Sequence, residues 1–301
     1  MHVPHRDWAI LCTNPPRIAV FEATQRTQTR VVDALRAWRG LRSIRVIALV
    51  VAVVALWIGA SAAPAAASSW WQPRGELTWQ MQFSGRIDKS VAADAYDIDA
   101  FDSSAALVTK LHGLGRKAVC YIDAGSWESY RPDADEYPAI VKGKVMAGWP
   151  DERWLDIRRI DILGPILEDR IAMCASKRFD GVEFDNVDGY SNRTGFPLTA
   201  QDQLKFDRWL ADTAHAHGLG VGLKNTPSLA DQLEPSFDFS IVEQCVQYHE
   251  CGSFAPFLDA NKPVLDIEYS VGIGTLCPKT QALGIFGMRK HLDLDAWRKT
   301  C

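Results

Sequence analysis

The amino-acid sequence predicts one α/β domain, a single (β/α)8 TIM barrel, on the strength of three observations. The chain has 301 residues, 47% of them hydrophobic, which is enough to bury one barrel-sized core. From Trp70 onward, strand-like and helix-like segments alternate, as they do where parallel strands are joined by crossover helices. Polar residues follow almost every predicted strand, and barrel active sites lie at the C-terminal strand ends.

Eight segments have the pattern of strands and three have the periodicity of helices. The predicted strands are residues 78–83, 95–101, 117–122, 181–184, 220–223, 239–242, 264–267 and 283–287. The predicted helices are residues 104–114, 162–176 and 199–216. Residues 128–161 are aromatic and contain prolines, so we expect a loop insertion on the active-site face. No glycine-rich phosphate turn follows the first strand, which disfavours a doubly wound sheet.

Residues 1–69 differ in character from the predicted barrel domain, residues 70–301. An uncharged apolar segment, residues 46–60, follows four arginines and precedes a small-residue stretch rich in alanine. A basic region, an apolar core and small residues are typical of a secretory signal. The 45 residues ahead of the apolar segment are too many for a secretory signal. We therefore expect either that the protein starts further along the chain or that the segment is an uncleaved signal anchor. In both cases the domain is exported, and any membrane contact is made through this segment alone.

The net charge disfavours nucleic acid as a partner. Residues 1–67 contain eight of the 33 Lys and Arg and three of the 37 Asp and Glu, so the remainder has 25 basic and 34 acidic residues and a net charge of −9. Such a surface repels phosphate backbones; it suits a cationic substrate and, equally well, ordinary solubility. We expect a monomer.

The cysteines predict disulfides. Apart from Cys12, six remain, an even number for an exported domain. Among the possible connectivities we favour two local pairs, Cys245 with Cys251 and Cys277 with Cys301, which leaves Cys120 with Cys174.

Residues 179–190 place several acids where a buried strand ends. Apolar residues alternate with acids along the predicted strand, which runs directly into Asp185, Asn186 and Asp188. Carboxylates at such a position are costly unless they bind or react with something. This segment is therefore the first candidate for a catalytic site.

The other predicted strand ends contribute further candidate site residues: Asp99, Asp123, Trp127, Lys224, Asn225, Glu243, Gln244, Glu268 and Tyr269. Carboxylates for proton transfer, with tryptophan and tyrosine for the apolar face of a ring, are what a sugar site requires. Asp123 has two interpretations, a substrate ligand and a structural acid of the barrel rim. Asp185 and Glu243 each end an otherwise apolar strand and form the candidate catalytic pair.

Metal and cofactor chemistry are disfavoured. Asp185 and Asp188 are three residues apart, whereas a calcium loop needs acids two apart. His215 and His217 are two apart on a predicted helix and so do not share a face. No cofactor signature accompanies Lys224, which favours hydrogen bonding to sugar hydroxyls over a Schiff base. We expect no metal and no cofactor.

Six ordered sequence blocks resemble glycoside hydrolase family 114, the endo-α-1,4-polygalactosaminidases. The blocks are YIDAGSWE at 121–128, WLDIR at 154–158, FDGVEFDNVDGY at 179–190, GLKN at 222–225, VEQC at 242–245 and IEY at 267–269. The resemblance covers residues 70–290. It implies a (β/α)8 barrel that cleaves α-1,4-linked galactosamine polymers with retention of configuration.

The resemblance also implies residue roles. Asp185 is the expected nucleophile, with Asp188 as the competitor for that role, and Glu243 is the expected general acid/base. Substrate ammonium groups are expected at Asp99, Asp123 and Glu268, and substrate hydroxyls at Lys224, Asn225 and Tyr269.

Two rival functions are open at this point. One is a glycosidase of the same mechanism that acts on another α-linked polysaccharide. The other is a non-catalytic barrel that binds a polysaccharide of the cell envelope.

Overall fold

The computed structural model describes residues 70–301, so the predicted leader and its apolar segment at 46–60 lie outside the described residues. Within the described part, no helix combines the length and apolar character needed to cross a membrane.

The described residues form twelve strands. In chain order they are β1 (Trp79–Met81), β2 (Ala95–Asp99), β3 (Lys117–Asp123), β4 (Ser126–Glu128), β5 (Lys142–Met146), β6 (Trp149–Leu155), β7 (Gly181–Asp185), β8 (Gly220–Lys224), β9 (Phe239–Glu243), β10 (Val264–Glu268), β11 (Phe286–Lys290) and β12 (Arg298–Thr300).

Seven α-helices lie between these strands in the described part of the chain. They are α1 (Ala105–His112), α2 (Ile160–Ser176), α3 (Ala200–Ala216), α4 (Ala230–Leu233), α5 (Cys245–Tyr248), α6 (Ala255–Asp259) and α7 (Ile273–Leu283). The three predicted helices correspond to α1, α2 and α3. A capping box starts α3, since Thr199 and Asp202 exchange side-chain and backbone hydrogen bonds.

The main sheet is nearly closed, barrel-like and consistent with a TIM barrel. Its order is β1-β2-β3-β7-β8-β9-β10-β11-β12, and the first eight of these strands are parallel. Strand β12 pairs antiparallel with β11. The loop between β11 and β12 lies against the first strand, where Phe83 N donates to the Leu294 carbonyl at 2.9 Å. Parallel strands in chain order bring all their C-terminal ends to one rim.

The last predicted strand, residues 283–287, begins too early. Leu283 instead ends α7, and Gly284 follows it with φ at 76°, the left-handed conformation that commonly ends helices. Strand β11 therefore starts at Phe286.

The core has two apolar layers. One lies between the sheet and its helices and includes Leu111, Leu167 and Leu210. The other fills the barrel interior and comes from alternate strand residues such as Met81 and Ile241. Two buried carboxyl groups, Asp97 and Glu183, lie on inward-facing positions of β2 and β7 directly below the rim. The interior is therefore apolar at its base and charged toward its top.

The predicted loop insertion contains regular structure. Strands β4, β6 and β5 form a small antiparallel sheet in that order. It packs close to the loop after β7, since a Cβ on Gly143 would lie 2.2 Å from the carbonyl oxygen of Thr194. The insertion therefore forms an ordered structure beside the barrel rim.

The predicted disulfide pairing is confirmed. Cys120 is bonded to Cys174, Cys245 to Cys251, and Cys277 to Cys301. The first joins β3 to α2, and the second closes a short loop directly after β9.

Candidate active site

Three neighbouring strands end on an ionisable residue: Asp185 ends β7, Lys224 ends β8 and Glu243 ends β9. The residue after each has a left-handed backbone, with φ at 61° for Asn186, 48° for Asn225 and 62° for Gln244. Non-glycine residues adopt this conformation rarely and at an energetic cost, so the repetition marks a constrained site. The chain turns away sharply after each strand and leaves the charged side chain at the rim.

The turn after β7 is fixed by the loop after β3. Gly125 N and Ala124 N donate to the Asp185 carbonyl oxygen at 3.1 and 3.2 Å. A Cβ on Gly125 would lie 1.8 Å from the Asn186 carbonyl oxygen, so only glycine allows this approach.

Asp185 is held as an ionised carboxylate. Its Oδ1 accepts from Lys224 Nζ at 3.1 Å and from Asn186 N at 2.8 Å, and its Oδ2 accepts from Tyr121 Oη at 2.9 Å. Burial alone would raise the carboxyl pKa, but the Lys224 charge and these hydrogen bonds hold the pKa of Asp185 below its ordinary value. The group is thus prepared to act as a nucleophile.

Lys224 lies between three carboxylates. Its Nζ is 3.1 Å from Glu183 Oε1, 3.1 Å from Asp185 Oδ1 and 3.4 Å from Glu243 Oε2, and its side chain is 3% exposed. Burial would lower the ammonium pKa, yet the three carboxylates raise the pKa of Lys224 well above its ordinary value. It therefore remains a cation throughout the accessible pH range.

Glu243 is oriented from three sides. Tyr269 Oη donates a hydrogen bond to Glu243 Oε1, and Glu243 N donates to Asn225 Oδ1 at 2.9 Å. Lys224 contacts the other carboxylate oxygen. About a quarter of the Glu243 side chain stays exposed, so the carboxyl group can reach a substrate.

Asp188 has a different environment from Asp185. Its Oδ1 accepts from Asn192 Nδ2 at 3.2 Å. Burial, together with the nearby Asp185 charge, raises the pKa of Asp188 above its ordinary value. A carboxyl group that resists ionisation is a poor nucleophile.

A cavity of about 1020 Å³ opens above these residues. Its floor is formed by the strand ends, with Asp185, Lys224 and Glu243 among the lining residues. One wall comes from the insertion, including Trp149 and Trp154, and residues 292–294 of the loop after β11 form another. A second cavity of about 830 Å³, at the opposite end of the strands, contains none of the predicted site residues.

Most of the predicted site residues line the main cavity: Asp99, Asp185, Asn186, Asp188, Lys224, Asn225, Glu243, Gln244 and Tyr269. Of these, Asp99 is bound by Arg131, whose two terminal nitrogens donate to its carboxylate at 3.1 and 2.7 Å. Its charge is thus already compensated within the protein.

Three predicted substrate ligands do not line the cavity. Asp123 is buried and accepts from Ser126 N at 2.7 Å and from Asn186 Nδ2 at 2.7 Å. Glu268 is buried and accepts from two backbone N–H groups of α5. The indole of Trp127 donates to the Ala134 carbonyl and faces the insertion. The sequence pattern does not distinguish a strand-end side chain that points into the cavity from one that points outward or lies below the surface.

Several site residues escaped the sequence analysis. Tyr121 and Glu183 lie on inward-facing strand positions, and Arg131, Trp149 and Trp154 lie in the insertion. Strand alternation places Glu183 on the same face as Asp185, and Tyr121 lies at the end of a predicted strand, but the sequence assigned neither residue a role in the site. The insertion residues carry no comparable signal, because their placement depends on how the small sheet folds over the rim.

Among the described residues, one surface cluster has metal-ligand spacing. His291, Asp293 and Asp295 place one ligand atom each within 4.8 Å of one another on the loop after β11. The groups are largely exposed, and the His291 ring nitrogen already contacts Asp295 at 3.1 Å. Nothing in this arrangement adds to the chemistry of the strand ends.

The comparisons with known proteins agree with this geometry. Among solved structures, Ega3 of Aspergillus fumigatus, in complex with galactosamine, is 35% identical over 77% of this chain and 97% of its own, with a TM-score of 0.72. The glycoside hydrolase domain of PelA from Pseudomonas aeruginosa shares the fold at 15% identity over 74% of this chain and 98% of its own, with a TM-score of 0.60. No curated protein sequence matches significantly. The sequence model of glycoside hydrolase family GH114 matches residues 60–301, and the chain therefore belongs to that family of glycoside hydrolases.

Proposed function

We propose that this protein is a retaining endo-α-1,4-polygalactosaminidase with Asp185 as nucleophile and Glu243 as general acid/base. The observation that carries the proposal is the spacing of the two carboxylates. Asp185 Oδ1 and Glu243 Oε2 lie 3.1 and 3.4 Å from the same nitrogen, so these oxygens are at most 6.5 Å apart. Retaining enzymes have carboxyl groups about 5–5.5 Å apart, and inverting enzymes about 6.5–9.5 Å.

In the first step, an ionised Asp185 oxygen forms a bond to the anomeric carbon. The bond from that carbon to the glycosidic oxygen breaks, and the leaving oxygen takes the proton of Glu243. Tyr121 and Asn186 N orient Asp185 for this attack, and Tyr269 orients Glu243. The product is a glycosyl ester on Asp185 and a carboxylate on Glu243.

In the second step, Glu243 accepts a proton from water, and the water oxygen bonds to the anomeric carbon as the ester bond to Asp185 breaks. Each displacement inverts the configuration of the anomeric carbon, so the two displacements together restore the original configuration. The free carboxylate of Asp185 and the protonated Glu243 are restored.

A galactosamine polymer is the substrate that the site and its relatives favour. The cavity, at about 1020 Å³, lies at the upper end of the roughly 300–1,000 Å³ range of ligand sites, which gives room for several sugar rings. Exposed acids Asp102 and Asp293 line it and are placed to attract protonated amines. The similar Aspergillus protein was solved with galactosamine.

We further propose that the polymer is an exopolysaccharide, reached by export through the leader at residues 1–69, with the catalytic (β/α)8 domain at 70–301. The three disulfides support this, because such bonds form and persist in oxidising compartments.

The test is hydrolysis by the purified full-length protein. We expect α-1,4-linked galactosamine polymer to be cut to mixed oligosaccharides, with an N-acetylated polymer and neutral α-glucans cut far more slowly. Glu243→Gln should lose at least about 10²-fold, the usual contribution of a general acid. Equal cleavage of a neutral α-glucan would indicate another substrate, and binding without turnover would indicate a non-catalytic barrel. Retention of more than a tenth of the activity by Glu243→Gln would refute its role.

A further inference from the structure

The charge of Lys224 is already compensated within the protein. Three carboxylate oxygens lie within 3.4 Å of its Nζ, and it donates a hydrogen bond to one of them, Asp185 Oδ1, at 3.1 Å. Its side chain lines the cavity but is only 3% exposed. Hydroxyl binding, the role predicted from sequence, therefore leaves its main contacts unexplained.

The charge around Lys224 stays constant through the reaction, if the proposed function holds. The proposed mechanism requires Asp185 to be ionised before attack and Glu243 to carry the proton that it donates. In the glycosyl intermediate Asp185 is an uncharged ester and Glu243 is ionised. One negative charge has crossed at most 6.5 Å, and both its starting and final positions contact the same Lys224 nitrogen.

We propose that Lys224 is a positioning residue that serves as a fixed counter-ion to whichever of Asp185 and Glu243 is ionised in each half of the double displacement. It stabilises the nucleophile before attack and the general base after it. Because a single cation neutralises both states, the site needs no side-chain movement or charge uptake between the two steps.

A second buried layer fixes the lysine in place. Glu183 Oε1 lies 3.1 Å from Nζ on the side away from the cavity, and both groups are buried. Burial and the Glu183 charge raise the pKa of the neighbouring Asp97 well above its ordinary value, so Asp97 holds a proton. Burial also raises the pKa of Glu183, but the Lys224 charge opposes this effect. Glu183 therefore anchors Lys224 from below without contacting substrate.

The titratable groups that face Lys224 come from five parts of the barrel. They are Glu183 and Asp185 on β7, Glu243 on β9, Tyr269 after β10, Asp97 on β2 and Asp188 after β7. Replacing Lys224 by an uncharged residue should disfavour ionisation of the Asp185 and Glu243 carboxyl groups. Removing the negative charge of Glu183 should favour their ionisation.

The experiment compares the pH dependence of kcat/KM on galactosamine polymer among variants. In a retaining enzyme the acid limb reports protonation of the nucleophile and the alkaline limb reports loss of the acid's proton. We expect Lys224→Met to move both limbs to higher pH by about one unit or more. Glu183→Gln should move both limbs in the opposite direction, and Lys224→Arg should return them toward their wild-type positions. Titration of the substrate amines contributes equally to every pH profile, so the test uses the differences in limb position between variants.

Lys144→Met is the matched control, since it removes an exposed positive charge from the same cavity. Its limbs should move by less than about 0.3 unit, because exposed charges are screened. Thermal unfolding of each variant identifies any that do not fold, and Glu183→Gln keeps the test decisive if Lys224→Met is one of them.

Unmoved limbs in an active Lys224→Met, or a shift of the same sign in Glu183→Gln, would overturn this inference alone. A wild-type protein without hydrolytic activity would overturn the proposed function and this inference with it.

Discussion

Asp185 and Glu243 end strands on either side of β8, and their carboxylates share the ammonium group of Lys224 at 3.1 and 3.4 Å. Each carboxylate also has its own tyrosine, Tyr121 for Asp185 and Tyr269 for Glu243. The two acids therefore share one cation, and each is oriented by a separate tyrosine hydroxyl.

Asp185, which ends β7, and Asp188, in the loop after it, should differ in importance. Asp185→Asn should lower kcat by at least about 10³-fold, because it removes the attacking oxygen. Asp188→Asn should lose less than about tenfold, since Asp188 lacks the Lys224 contact and resists ionisation. Side-by-side single-turnover rates on galactosamine polymer measure both. A larger loss in Asp188→Asn would exchange the two assignments.

The hydroxyl of Tyr269 should matter for rate more than for binding. Tyr269→Phe removes the hydrogen bond to Glu243 but keeps the ring. A hydrogen bond to a charged group contributes about 1.5–3 kcal/mol, so kcat should fall by about 10–100-fold while KM changes little. Steady-state kinetics separate the two parameters. A change in KM alone would place the hydroxyl in substrate binding.

Trp149 should contribute to the binding of long substrates. Its indole is 53% exposed and lines the cavity wall, where it can pack on a sugar ring away from the reacting bond. Trp149→Ala should raise KM for the polymer by about 5–10-fold and leave kcat nearly unchanged. Ile140→Ala, an exposed apolar truncation on the same insertion outside the cavity lining, is the control. Equal effects in both variants would point to distortion of the insertion.

Asp266 should make the fold less stable as the pH rises. Burial and the nearby Glu268 raise the pKa of Asp266 to about 8. The unfolded chain releases this proton near pH 4, so stability falls between about pH 4 and pH 8 and is level above that window. Asp266→Asn keeps an acceptor for Cys245 N and removes the titration.

The measurement for Asp266 is denaturant unfolding from pH 4 to pH 9. Relative to wild type, Asp266→Asn should gain about 3–5 kcal/mol across this range. Asp259→Asn, on the exposed surface of α6, should show no such trend. A constant difference between Asp266→Asn and wild type would mean that Asp266 does not titrate in this window.

Much of the barrel and its rim is predictable because strand patterns are local. The order of the eight parallel strands and the placement of Asp185 and Glu243 at two strand ends follow from apolar runs that stop at polar residues. The disulfide pairing was also predictable, because two of the three bonds join cysteines close in sequence, and the structure confirms it.

The roles of side chains at the rim are not local, and here prediction from sequence is weaker. Lys224 looks like a ligand for hydroxyls until its neighbours on β7 and β9 are known. Asp123 and Glu268 look like rim acids, but the backbone N–H groups they bind belong to β4 and α5, two short elements that the sequence pattern does not reveal. The sheet in the insertion was missed because buried and exposed positions do not alternate regularly along β5 and β6, so no period-two apolar pattern marks these strands.

The stereochemistry of the first product tests the central claim most directly. Proton NMR of the full-length protein acting on α-1,4-linked galactosamine polymer can record new reducing ends before they mutarotate. The shared Lys224 contact places Asp185 and Glu243 close enough for a double displacement, so the first reducing ends should be α. Initial formation of β ends would show a single displacement by water and contradict the assignment of Asp185 as nucleophile.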